Sequence, residues 1–219
     1  MNNFEKYIGN ILALRKPQRE SLKIFARLTE ILSLEKNPNL DDELKKVHEN
    51  FPTLTNFERE FPSICFSLAT GIGKTRLMGA CIAYLHYAKN IKNFFVMAPN
   101  LTIYQKLKSD LGSPENPKYV FRGLDKFSNP PRIIDGENYE NFNSSAMVGT
   151  NEIIINVFNI AKLNSDSKVE DGKPARIKRL NEILGESYFE YLQNLPDLCI
   201  LWTKVIIITR TKVLKSSTN

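Results

Sequence analysis

The residues best suited to chemistry lie together at Ala69-Thr70-Gly71-Ile72-Gly73-Lys74-Thr75. Gly71 and Gly73 let the backbone turn through dihedrals closed to other residues and come close to a ligand. Lys74 adds a full positive charge, and Thr75 a hydroxyl suited to a metal ion. Set at the start of a helix, this loop would aim free N–H groups and the positive end of the helix dipole at one spot. That is the chemistry of a loop that cradles nucleotide phosphates. The usual spacing, G-x-x-x-x-G-K-[ST], opens on glycine, and here Leu68 stands in that position. The plainer alternative is an ordinary glycine-containing strand-to-helix turn with a surface lysine.

The flanks supply the elements such a loop needs. Ser63 to Leu68 is short and mostly apolar, as a buried strand should be, and Leu77, Met78, Cys81, Ile82 and Leu85 recur at helical spacing. The pattern predicts a strand over 63–68 and a helix over 74–89. Asn93 to Ala98 reads as a second buried strand, ended by Pro99-Asn100, and 101–111 as a helix. Alternation of strand and helix argues for a parallel sheet flanked by helices.

Upstream, 4–14 reads as a short helix, and 18–34 as a longer one with Pro17 near its start. Asn37-Pro38 breaks it, and Leu44, Val47 and Phe51 suggest a third. Downstream, 112–150 is rich in Pro, Asn, Ser and Gly and reads as an insertion with short strands at 119–121 and 132–134. Residues 152–157 suggest a strand, 158–163 a brief helix, 164–174 a polar loop, 176–192 a helix and 198–201 a last buried strand. The run Lys173, Arg176, Lys178, Arg179 reads equally as a phosphate contact or as a solvated helix start.

The 219 residues are 42% hydrophobic and 25% charged, as expected of a globular protein. No run approaches the roughly 18 apolar residues of a membrane span. The first residues lack a signal peptide's apolar region, so a cytoplasmic location is the expectation. Cys65, Cys81 and Cys199 stand in apolar contexts and read as small buried hydrophobes. With His48 and His86 they offer no zinc spacing, and His86 reads as a helix-surface residue. Of the net charge of +6, Lys204, Arg210, Lys212 and Lys215 account for most, leaving +2 for residues 1–201. Charge alone is therefore weak evidence for nucleic acid.

Taken in order, Arg15-Lys16-Pro17-Gln18, the loop 69–75 and Ala98-Pro99-Asn100-Leu101 resemble the first RecA-like domain of superfamily-two DEAD/DEAH helicases. The nearest likeness is to the Res (restriction and translocation) subunit of type III restriction enzymes, where Ala-Thr-Gly-x-Gly-Lys-Thr is the usual first motif. The resemblance spans roughly 15–201. It implies an α/β fold, an incomplete RecA-like P-loop NTPase domain over 61–201 with an N-terminal helical extension over 1–60. It implies ATP and Mg as cofactors: Gln18 would read adenine, Thr70, Gly71, Ile72, Gly73, Lys74 and Thr75 would hold phosphate, and the Thr75 hydroxyl would hold Mg. Pro99, Asn100 and Thr102, and more loosely Asn156 and Asn159, would contact the nucleic-acid backbone. Double-stranded DNA and a modification methyltransferase subunit are the implied partners, with no membrane. Gln18 also reads as a plain helix-start polar residue, and Pro99-Asn100 as a strand-ending turn.

One departure stands out. After the strand at 198–201 the family has Asp-Glu-x-His, whose Asp holds Mg and whose Glu positions the attacking water. Here Trp202-Thr203-Lys204-Val205 follows, with no carboxylate in 202–219, and the second RecA-like domain and nuclease domain are not recognised. No catalytic residue is therefore assigned. Residues 202–219 read as an aberrant basic tail produced by a shifted frame. Reading back by one nucleotide across Trp202-Thr203 forces an Asp codon, and suitable neighbouring codons complete Met-Asp-Glu-Gly-His. Two functional readings stay open: the front part of an ATP-dependent translocase, inactive alone, and a non-enzymatic truncated fragment that binds nucleotide or DNA. A stand-alone P-loop NTPase would need a metal-binding carboxylate elsewhere. Asp135, beside the turn residue Gly136, is the candidate.

Overall fold

The computed structural model describes residues 3–35, 38–57, 59, 61–142, 152–160, 180–181, 186–202 and 205–207. Four strands form a parallel sheet: β2 (Asn93–Ala98) at its centre, β4 (Ile154–Asn159) and β3 (Arg132–Asp135) to one side, and β7 (Leu198–Trp202) to the other. Two short strands continue it past β7: β8 (Val205–Ile207), antiparallel to β7, then β1 (Ser63–Ile64), antiparallel to β8. A separate two-residue ladder pairs β5 (Leu180–Asn181) with β6 (Glu186–Ser187).

Both faces of the sheet are covered, which explains why its strands read as unbroken apolar runs. Phe94, Val96 and Ala98 of β2 share one core with Ile155 and Val157 of β4 and with Cys199 and Leu201 of β7. On that side pack α4 (Lys74–Lys89), α5 (Leu101–Gly112) and the N-terminal helices α1 (Phe4–Ile11), α2 (Lys16–Ile31) and α3 (Leu40–Asn50). Phe95, Ile154, Phe158 and Ile200 face the other way, onto α6 (Tyr188–Asn194) and the rings of Tyr139 and Phe142. α4 is buried nearly all round, from Leu77 to Tyr87, as befits the helix between the sheet and the N-terminal extension. The parallel sheet flanked by helices is the incomplete RecA-like α/β arrangement the sequence suggests.

Several boundaries differ from the sequence reading. The strand expected over 63–68 keeps only Ser63 and Ile64, because β8 pairs with those two residues and no farther. Tyr119–Phe121 is not a strand: the Val120 N–H donates to Asp110 O at 2.9 Å, and the rings of Phe121 and Phe127 stack 4.2 Å apart beneath a turn. Phe158 and Asn159 extend β4, so the helix expected from 158 does not begin before Ile160, and 161–163 lie outside the described residues. Of the stretch expected as a helix over 176–192, Leu180–Asn181 and Glu186–Ser187 are short strands and Tyr188–Asn194 is a helix, which Ser187 caps and where Glu190 accepts from the Ser187 N–H at 3.0 Å; 176–179 and 182–185 lie outside the described residues. The expectations for 164–174 and for Lys173, Arg176, Lys178 and Arg179 lie outside the described residues. Among the described residues no helix is long and apolar enough to cross a membrane.

Candidate nucleotide site

The loop from Ala69 to Gly73 leads directly into α4. Gly71 (φ +81°) and Gly73 (φ +90°) both lie in the left-handed region, and Gly73 is the N-cap of the helix. Only glycine takes such angles without strain, so the spacing of the two glycines builds this turn. The first hydrogen bond of α4 runs from the Leu77 N–H to Gly73 O at 3.2 Å. By helix geometry the N–H groups of the preceding residues have no acceptor within the helix and face the loop. The first turn carries no acidic side chain to fill that positive end. Lys74 folds back over the loop, its Nζ donating to Ala69 O at 3.2 Å. The loop thus presents the free N–H groups of the helix start with a cation laid across it.

Gln18 supports this loop from beneath. Its Nε2 donates to Ile72 O and to Gly73 O, both at 2.9 Å, across 54 and 55 residues of sequence. Its Oε1 accepts from the Arg15 N–H at 2.8 Å and thereby caps α2. Only 2% of the residue is exposed. A Cβ on Gly73 would stand 2.6 Å from Gln18 Nε2, so a side chain here would push the Gln18 amide away, in addition to the strain of the dihedral. Neither sequence alternative for Gln18, adenine reader or helix-start residue, describes this contact. The available signal was the capping-box spacing, with Gln at the third helical position after Pro17.

The donor set suits a polyphosphate. For a divalent cation the fit is half complete. The Thr75 hydroxyl lies in the first turn of α4, but β7 ends in Trp202 where a second ligand would be needed. Among the described residues no cluster of three His, Cys, Asp or Glu side chains is placed to hold a metal ion.

Asp135 does not supply the missing carboxylate. Its strand β3 lies at the opposite edge of the sheet from β1, five strand spacings away, or about 24 Å. The residue is 3% exposed and its carboxylate is fully engaged. Its Oδ2 pairs with Lys108 Nζ at 2.5 Å, while its Oδ1 accepts from the N–H groups of Glu137 and Asn138 at 2.8 and 3.0 Å. This is a turn-capping aspartate, and the reading of Asp135 as a metal ligand is overturned.

The residues expected at nucleic acid divide. Pro99, Asn100 and Thr102 are exposed at the carboxyl end of β2, beside Leu101, which is 67% exposed. Asn100 caps α5, its Oδ1 accepting from the Ile103 N–H at 2.9 Å, so the strand-ending turn is real. Asn159 pairs with Ala98 at the same end of the sheet but is only 3% exposed, so it does not share the exposure of Pro99, Asn100 and Thr102. Asn156, 1% exposed, is interior. Its Nδ2 donates to Phe94 O at 3.0 Å, and its Oδ1 accepts from the Tyr188 hydroxyl. It ties β4 to β2 and to α6, and it has no face to offer a ligand, which corrects the expectation for this residue.

Two further expectations change. His86 is buried, not on the surface: its Nδ1 lies 3.0 Å from Ile91 O, and since a carbonyl only accepts, that nitrogen carries the proton. Burial lowers its pKa below the ordinary 6.5. Cys65 is exposed, whereas Cys81 and Cys199 are buried as expected, their thiols pushed up by desolvation.

No curated protein and no solved structure matches the chain. A family model does. The model described as "Type III restriction enzyme, res subunit" matches residues 11–192, from the end of α1 through most of α6. That span holds Gln18, the glycine loop and the exposed turn at Pro99-Asn100, and it stops short of β7 and Trp202. With a matched span covering most of its length, the chain belongs to the family of helicase-like type III restriction enzyme res subunits.

Proposed function

We propose that this chain is the ATP- and DNA-binding front part of a res subunit and that, as it stands, it binds ATP without turning it over. The observation that carries this reading is the glycine loop at the start of α4, with both glycines left-handed and Gln18 bracing two of its carbonyls. Thr70, Gly71, Ile72, Gly73 and Lys74 would receive the phosphates through backbone N–H groups and the Lys74 ammonium. Thr75 would hold Mg through its hydroxyl. Magnesium, when bound with ATP, neutralises charge on the β- and γ-phosphates. Gln18 would contribute to the adenine side only by releasing donors now committed to the loop.

Pro99, Asn100 and Thr102, exposed at the carboxyl end of the sheet, would meet the backbone of double-stranded DNA, and Asn159, buried at the same end, would do so only if its side chain were uncovered. Contacts of this type position a duplex and carry no sequence information. A modification methyltransferase subunit is the partner the family implies, and the cytoplasm the compartment. Hydrolysis is absent because Trp202 ends the strand where the family places its metal-binding carboxylate. One preorganised electrostatic group is worth about 10²–10³ in rate. We attribute the residues from Trp202 onward to a shifted reading frame, which sequencing the gene across these codons tests directly.

The functional test uses a fluorescent ATP analogue with wild type and Lys74→Ala. Wild type should bind with at least about tenfold higher affinity, the equivalent of one charge-assisted contact. Both should hydrolyse ATP at the same background rate. Equal affinity would overturn the nucleotide reading, and turnover well above the Lys74→Ala control would overturn the claim of inactivity. A specific observation, Trp202 at the end of β7, favours the second reading, in which the chain serves only as a non-enzymatic binding module.

A further inference from the structure

β8 lies between β7 and β1 and runs antiparallel to both. Ile206 stands between Ile64 and Leu201, and Ile207 between Ser63 and Ile200. Among the described residues β1 has no other strand beside it. Adjacent strands lie about 4.8 Å apart, so β1 and β7 are about 10 Å apart and cannot bond directly. Among the described residues, the strand that leads into the phosphate loop is therefore joined to the parallel sheet's hydrogen-bond ladder only through Val205–Ile207, although Ile64 also packs in the core beneath it. β1 and β7 point the same way, since each is antiparallel to β8. The interval between them is one strand wide, and the β1 and β7 ladders that face it are both paired with β8.

We propose that this interval is a strand-acceptor site, that the chain's own Val205–Ile207 segment is its occupant, and that filling it holds β1 and the phosphate loop in place. The main-chain ladder supplies the attachment, as in other cases of strand addition to an open sheet edge. Only six residues lie between Ile64 and Gly71, so a loosened β1 is transmitted directly to the loop. The last part of the proposal rests on the nucleotide reading above, whereas the strand-acceptor itself does not.

The test is amide hydrogen exchange on the full chain, with Ile206→Pro and Ile207→Pro as separate variants. Consecutive strand residues direct their N–H groups to opposite neighbours, so one proline interrupts the ladder toward β1 and the other the ladder toward β7. In at least one variant, exchange over Ser63–Ile64 and Gly71–Thr75 should rise on the order of tenfold, with β2 and β4 as protected as in wild type. Affinity for the fluorescent ATP analogue should fall in the same variant. Unchanged exchange over Ser63–Ile64 in both variants would overturn the proposal. So would an equal rise across β2 and β4, because the segment would then be a general support of the sheet. If wild type binds no analogue, the nucleotide reading fails while the exchange data still decide the strand.

Discussion

Replacing Gln18 tests the link between the N-terminal helices and the phosphate loop most directly. Gln18→Ala removes two donors from the Ile72 and Gly73 carbonyls and the acceptor of the Arg15 N–H. A neutral hydrogen bond contributes about 1 kcal/mol net, and a buried polar group left unpaired costs about 1–3 kcal/mol. Three bonds at a residue only 2% exposed therefore place the loss at about 2–4 kcal/mol. Gln18→Glu separates the two halves of this sum. It keeps an acceptor for the Arg15 N–H but sets a carboxylate oxygen against two carbonyl oxygens. Its negative charge near the start of α2 recovers only about 0.3–1 kcal/mol from the helix dipole, so the repulsion wins. Urea unfolding of the nucleotide-free chain should show Gln18→Glu at least as destabilised as Gln18→Ala. If both variants stay within about 0.5 kcal/mol of wild type while ATP binding is lost, the brace is not an energetic feature and Gln18 acts on the nucleotide alone.

Three other outcomes are expected. Gly73→Ala should cost more stability and analogue affinity than Gly71→Ala: both pay about 1–2 kcal/mol for a left-handed alanine, but only Gly73 has a side chain at 2.6 Å from the new Cβ, whereas Gly71 has nothing within 4 Å. Asp135→Asn should lower stability through the loss of the Lys108 pair and leave Mg-dependent analogue binding unchanged; a loss of Mg dependence would restore Asp135 as a ligand. Stability should fall as pH drops below 6.5, because the native state holds His86 neutral with a lowered pKa while the unfolded chain takes up the proton. Lys126 and Lys92 add to the cost of charging it. In His86→Asn, which retains an N–H donor, this part of the decline should disappear; an unchanged slope between pH 6.5 and 5 would refute it.

Where neighbours in sequence decide a conformation, the sequence was sufficient. The glycine spacing at 71 and 73 forces a left-handed turn, and periodicity placed α4, β2 and α5 within a residue of their observed bounds. Apolar runs at 93–98 and 198–201 became strands because both faces of the sheet are covered. Pro99-Asn100 ended β2 and capped α5, a local event. Short elements whose existence depends on a partner were not legible. Two residues of β1 are a strand only because β8 lies alongside, and Tyr119–Phe121 turns because Asp110 and Phe127 hold it.

Side-chain roles divided the same way. Residue type and order marked Gln18, Lys74, Thr75 and Asn156 as polar groups near a family motif. Only the folded chain could show that Gln18 reaches across more than fifty residues to two loop carbonyls. The fold also placed Asn156 inside the sheet and Asp135 on the strand at the opposite edge of the sheet from β1. A sequence determines which local conformations and which chemical groups are available. Which of those groups meet, and which are sealed from solvent, depends on long-range packing, because hydrogen-bond partners and burial are set by strand order and not by distance along the chain.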